Sequence, residues 1–99
     1  IAITVCRESY ENMRVISSQA ADEMMNISGV KAAFVIYPMD SVINISARSY
    51  GDVNVQLIME KLGGGGHATV AGAQIKGTSA EDAANKLKAA IKEYFDESN

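Results

Sequence analysis

The spacing of apolar side chains changes period several times along the chain, and each change marks an element. Ile1, Ile3 and Val5 alternate with Ala2 and Thr4, the two-residue period of a strand. From about Tyr10 to Met25 the period lengthens. Met13, Ile16, Ala20 and Met24 recur at steps of three and four, which predicts a helix with those residues on its buried stripe. Asn26 and Gly29 supply its stop. Ala32 to Tyr37 is a continuous apolar run, β-branched and aromatic at its centre, the composition of a strand buried on both faces. Pro38, Met39, Asp40 and Ser41 predict a turn with Pro38 at its second position, and a strand from about Val42 to Ser49 completes an antiparallel hairpin.

Along that strand Ile43, Ile45 and Ala47 point one way and Asn44, Ser46 and Arg48 the other. Gly51 and Asp52 break it. Val55, Ile58, Met59 and Leu62 then stand at the i, i+3, i+4, i+7 positions of a helix that stops at Gly63. Gly63 to His67 reads as a loop and Ala73 to Lys76 as a strand; Ala68 to Ala71 fits either a strand or a short helical turn. Thr78, Ser79, Ala80 and Glu81 fit a capping box, opening a last helix with Ala84, Leu87, Ile91 and Phe95 on one side. The order β-α-β-β-α-(Gly loop)-β-α, with no repeat or linker, predicts an α/β (α+β) fold. It is a small mixed β-sheet covered by helices, forming one domain over residues 1–99.

Composition narrows the functions open to this fold. The chain has 99 residues, 47% hydrophobic and 21% charged, ordinary values for a folded soluble domain. A net charge of -3 argues against a broad duplex-binding surface, so an anion must be gripped by a local arrangement. Cys6 is the only cysteine, which excludes an internal disulfide and suits a reducing, cytoplasmic setting. No apolar run approaches the roughly 20 residues of a membrane span, so no membrane contact is expected from this chain. The opening inside a strand, without an initiator Met or a basic leader, reads as an excised C-terminal fragment ending at the polar tail Asp96, Glu97, Ser98 and Asn99.

The run Gly63, Gly64, Gly65 and Gly66 is the strongest chemical signal. Each ordered Gly costs roughly 0.5–1 kcal/mol relative to Ala, and a helix C-terminus needs only one. Bare N–H groups that converge on an anion are a reason for the others, with His67 at the loop exit as a further donor. Lys-Ser or Lys-Thr does not follow the run, which excludes a Walker loop. The run also follows a helix rather than a strand, which excludes a dinucleotide fingerprint. Arg48 offers a bidentate fork for phosphate, with Ser46 and Ser49 as neighbouring hydroxyls. One His and one Cys assemble no recognisable metal-ligand set, and no Ser-His-Asp arrangement is visible. No catalytic residue and no metal ligand is therefore assigned. The methionines read as core, and Lys86, Lys88 and Lys92 as a solvated helix face. Of the aromatics, Phe34 and Phe95 read as core, leaving a thin platform for stacking a single strand.

Ser46-Ala47-Arg48-Ser49, Gly51-Asp52-Val53-Asn54-Val55 and Gly63-Gly64-Gly65-Gly66-His67, followed by Ala71-Gly72, together resemble the DHHA1 domain of DHH-family phosphoesterases. The stretch from Gly66 to Ile75 is most similar to the GdpP-type cyclic di-AMP phosphodiesterase branch. The alternatives are an RecJ-like or oligoribonuclease branch that binds nucleic-acid ends, and a non-catalytic nucleotide-binding module. The resemblance implies a division of labour. A separate N-terminal DHH domain holds two manganese ions, while the DHHA1 domain grips a cyclic dinucleotide or short oligonucleotide through Ser46, Arg48, Ser49, Gly63, Gly64, Gly65, Gly66 and His67. No cofactor is expected in this chain itself. A membrane anchor, further domains and any dimer contact are implied for the longer protein only.

Overall fold

The computed structural model describes residues 1–6 and 12–97. The elements are β1 (Ala2–Val5), α1 (Met13–Met24), β2 (Ala32–Met39), β3 (Val42–Ser49), α2 (Val55–Lys61), β4 (Gly65–Gly66), β5 (Val70–Ile75) and α3 (Ala80–Glu97). One five-stranded sheet has the order β1-β2-β3-β5-β4. β1 runs parallel to β2, and every other pairing is antiparallel. The predicted order holds, with one addition: the second half of the glycine run is itself an edge strand. The N-terminal end of the expected first helix, including Tyr10, lies outside the described residues.

The hairpin turn is tighter than the sequence suggested. β2 and β3 pair from Ala32↔Ser49 to Met39↔Val42, which leaves Asp40 and Ser41 as the turn. Both have positive φ, 56° and 65°, the conformation that matches a turn to the twist of its strands. Pro38 therefore sits in the strand. Met39↔Val42 closes the turn, so Pro38↔Ile43 is a non-hydrogen-bonded pair and the missing N–H faces away from β3. On that side β1 pairs only with Ala33 to Ile36, so no ladder bond is lost.

Alternation along β2 and β3 builds three layers. Phe34 and Ile36, with Ile43, Ile45 and Ala47, face α2 and α3, where Val55, Ile58, Met59, Ala83 and Leu87 complete the main core. Val35 and Tyr37 face α1 and join Met13 and Ala21 in a smaller cluster. Asn54 caps α2 by accepting from the Leu57 N–H at 3.2 Å.

Three expectations are corrected in detail. The buried stripe of α1 is Met13, Ser17 and Ala21, while Ile16 is 47% exposed. Small side chains let the helix approach the sheet closely, so the stripe lies one position away from the bulkier residues. The α3 cap is Ser79, whose hydroxyl accepts from the Asp82 N–H at 3.1 Å, one residue later than the expected box. Phe95 is exposed; its ring stands edge-on to Tyr94, which packs against the main core instead. Among the described residues no helix is long and apolar enough to cross a membrane.

Candidate functional site

The glycine run is used residue by residue. Gly63 takes φ 84° just after α2. Its N–H donates to the Glu60 carbonyl at 3.1 Å, and the Gly64 N–H donates to the Met59 carbonyl at 2.8 Å. These two bonds are the Schellman ending of a helix, which a left-handed Gly makes accessible. A Cβ on Gly64 would lie 2.1 Å from the Gly72 carbonyl oxygen. One on Gly66, at φ 143°, would lie 2.6 Å from the Val70 carbonyl oxygen. Helix ending and close strand approach thus account for these three. Gly65 is different: its φ is not in the left-handed range, and a Cβ there would meet nothing within 4 Å. Neither the sheet nor the turn requires it to be glycine.

Gly65 pairs with Gly72, and Gly72 pairs with Ser46. The face of the sheet turned toward α1 is therefore stripped of bulk where β4, β5 and β3 meet. A cleft of about 530 Å³ opens there, lined by Ser46, Arg48, Gly63, Gly64 and Gly65 together with Asn44, Gly72 and Gln74. Arg14 and Ser18 on α1 form its far wall, and Tyr37 also borders it.

Each polar group has a defined state. The Arg48 Nε donates to the Asp22 carboxylate at 3.0 Å and its Nη1 to the Ala47 carbonyl at 2.8 Å. A guanidinium has five N–H donors, so about three are left unused by these two contacts. The Asn44 Nδ2 donates to the Met39 and Val42 carbonyls at 3.2 and 3.4 Å, holding the hairpin turn. Ser46 is buried, yet its hydroxyl has no hydrogen-bond partner among the described residues. The converging N–H groups expected of the run are not on offer, since those of Gly63 and Gly64 are spent on the helix ending; what the cleft gives an anion is a guanidinium edge and a hydroxyl over a floor kept low by glycine.

The structure thus brings Ser46, Arg48, Gly63, Gly64 and Gly65 into one cleft, and it leaves three sequence-predicted site residues outside. Ser49 belongs to the opposite phase of β3. Its hydroxyl donates to the Val53 carbonyl at 2.7 Å and lies 3.2 Å from that of Ala68. Its role here is to tie the start of α2 to the β4–β5 turn. Gly66 is an exposed edge-strand residue. His67 is exposed at the tip of that turn, its backbone N–H donating to the Val70 carbonyl at 2.7 Å. Sequence reasoning missed Arg14, Ser18, Asp22 and Gln74. Arg14, Ser18 and Asp22 recur at i, i+4, i+8, a polar stripe that helical periodicity could have exposed.

A second depression of about 490 Å³ lies between α2 and α3, lined by Leu57, Glu60, Lys61, Tyr94 and Glu97. Among the described residues its one cation, Lys61, is held by two carboxylates, and the Glu60 carboxylate accepts only from the Gln56 amide at 3.3 Å. Lys61 Nζ lies 2.7 Å from Glu97 and 3.1 Å from Glu93. The Glu97 bond, then the Glu93 bond, raises the Lys61 ammonium above its usual range, and Lys61 holds the Glu97 carboxyl below its own. This network fastens two helices and leaves the depression net negative, with no free cation for an anionic ligand. Among the described residues no three of His, Cys, Asp and Glu come together in a way that could hold a metal ion.

What emerges is a mixed α/β domain with a polar, glycine-floored cleft on one face of its sheet. The sequence matches the DHHA1 domain over residues 2–97, and the chain belongs to that family. It is 47% identical over 97 residues to "Cyclic-di-AMP phosphodiesterase GdpP" of Geobacillus thermodenitrificans, an alignment covering 97% of this chain and 15% of the relative. It is 48% identical over 96 residues to "Cyclic-di-AMP phosphodiesterase PdeA" of Listeria monocytogenes, covering 96% of this chain and again 15% of the relative. Among solved structures, an exopolyphosphatase-related protein from Bacteroides fragilis matches with a TM-score of 0.69 at 28% identity, over 79% of this chain and 23% of that one. The chain thus spans about 15% of the length of these curated relatives.

Proposed function

We propose that this chain is the substrate-holding domain of a phosphodiesterase that opens cyclic di-AMP to the linear dinucleotide. The observation that carries this reading is Gly65, a glycine with no conformational or steric cause, lying in the same cleft as Arg48 and the unpartnered hydroxyl of Ser46. A missing side chain lets a ligand lie close against the sheet, and a guanidinium edge beside it suits phosphate oxygens. The near-half identity to two cyclic-di-AMP phosphodiesterases supports the choice of ligand.

The division of labour follows from what the residues can do. Phosphodiester hydrolysis of this type calls for a metal-activated water, and the described residues do not fit a metal ion. The manganese pair is assigned to a DHH domain elsewhere in the longer protein. Arg48 and Ser46 hold and orient the phosphate, and the glycine floor sets how closely the nucleotide lies. The experiment is calorimetric titration of the chain with cyclic di-AMP and linear pApA, alongside a hydrolysis assay with added manganese. Binding without turnover, weakened about ten- to a hundredfold by Arg48→Ala as for a lost charge-assisted contact, is the expected result. Protein-dependent turnover by the chain alone would overturn the division of labour. Binding indifferent to Arg48→Ala would overturn the site.

A further inference from the structure

Arg48 alone is a poor anchor for a highly charged ligand, because Asp22 already faces it at 3.0 Å. Seen from a distance, that pair is close to neutral. The chain as a whole carries a net charge of -3, so it supplies no attractive background. Among the described residues, the other charged side chain lining the cleft is Arg14. Lys31, Lys61 and Lys92 each face a carboxylate. Arg14 has no hydrogen bond or ion pair among the described residues. It is a positive charge on the cleft wall that no carboxylate among the described residues faces.

Its position also fixes what it can reach. Arg14, Ser18 and Asp22 lie on one stripe of α1, and Asp22 is the residue that holds Arg48. Eight residues of helix correspond to about 12 Å of axis at 1.5 Å per residue. The backbone of Arg14 thus stands two helical turns from the residue that holds Arg48, a separation that two phosphates joined through a nucleoside bridge more readily than one phosphate does. Ser18, half-buried between them, offers a hydroxyl to the intervening sugar or phosphate.

We propose that Arg14 is a specificity-determining residue that contacts a second phosphate, so that the cleft selects nucleotides carrying two phosphate groups over those carrying one. This rests on the reading of the cleft as a nucleotide site. Asp22 is the matching positioning residue: it fixes the Nε side of Arg48 and leaves the remaining donors facing the ligand.

The cleanest test compares two ligands that differ only in a terminal phosphate, ApA and pApA, titrated into the wild-type chain and into Arg14→Gln, Arg14→Lys and Lys86→Ala. Lys86→Ala removes one positive charge from the solvated face of α3 and controls for net charge. The wild type should favour pApA by about tenfold or more, the worth of one charge-assisted contact. Arg14→Gln should erase most of that preference while changing ApA affinity little. Arg14→Lys should restore part of it, and Lys86→Ala should leave it intact. Equal weakening of both ligands by Arg14→Gln, no change in either, or an equal effect from Lys86→Ala overturns the role of Arg14 while leaving the nucleotide site standing. Failure of the wild type to bind either ligand removes the nucleotide site itself, and the role of Arg14 with it.

Discussion

The two faces of one sheet carry opposite kinds of surface, and β3 contributes to both. Toward α2 and α3 it presents Ile43, Ile45 and Ala47, buried in the main core with Phe34, Ile58 and Leu87. Toward α1 it presents Asn44, Ser46 and Arg48, two of them buried and polar. A strand's period of two allows this without a change in backbone. The dry face is closed by bulky side chains, and the cleft face is held open by glycines opposite them. Stability and binding are therefore expected to separate by face.

The largest effect should come from the dry face. Phe34 is fully buried, so Phe34→Ala should lose about 3–5 kcal/mol in denaturant unfolding. Arg48→Ala, on the other face, should change stability by less than about 1 kcal/mol, since its partner Asp22 is largely exposed. A comparable loss from both would mean that the faces are not energetically separate.

A sharper contrast lies within the glycine run. Gly64→Ala would force a Cβ against the Gly72 carbonyl and should cost about 1–3 kcal/mol through overpacking. Gly65→Ala meets open space and should stay within about 0.5 kcal/mol of wild type, while weakening nucleotide binding. Melting curves and titrations of the two variants, measured side by side, read the structural and ligand-facing glycines separately.

The ion pairs of α2 and α3 should give a smaller, pH-limited effect. Glu97 is held below its ordinary value of 4.5, so its contribution is complete above pH 4.5 and fades as pH falls through the lowered value. Lys61 is raised above 10.5, so its contribution is complete below that pH and fades as pH rises through the raised value. Glu97→Gln should therefore track the wild-type melting temperature at a constant offset between these limits and converge with it in acid. Both groups are solvent-screened, so added salt should shrink the offset. The smallest effect belongs to Ser17→Ala. The Ser17 hydroxyl is fully enclosed with no hydrogen-bond partner among the described residues, and its removal should be neutral or slightly stabilising in the same unfolding assay.

The sequence revealed most where one physical cause acted alone. Alternation in β3 assigned both of its faces, and the i, i+3, i+4 spacing of Val55, Ile58 and Met59 placed the buried side of α2. It misled where two causes competed. Ile16 looked like core by hydrophobicity, but close helix-to-sheet approach favoured Ser17 and Ala21. Pro38 looked like a turn residue, but Asp40 and Ser41 accept left-handed backbone and take the turn instead. In the site, the glycine run and Arg48 were legible as residue types. Which glycine is spared by the sheet depends on the register of β4 against β5, which a run of identical residues does not specify. Ser49 and His67 sit beside the motif in sequence, yet the strand phase and the β4–β5 turn carry them away from the cleft wall. Arg14 was hidden because its partners across the cleft are some 30 to 60 positions further along the chain.

Nucleotide phosphate is proposed to be held on the α1 face by Ser46, Arg48 and Gly65. The most direct test of this is residue-resolved amide NMR of the chain titrated with pApA. Shifts should concentrate at Ser46, Ala47, Arg48 and Gly63 to Gly65, with smaller shifts at Arg14 and Ser18 across the cleft. Shifts centred on α3 and the Lys61–Glu97 network, with the β3 and glycine amides unmoved, would contradict it.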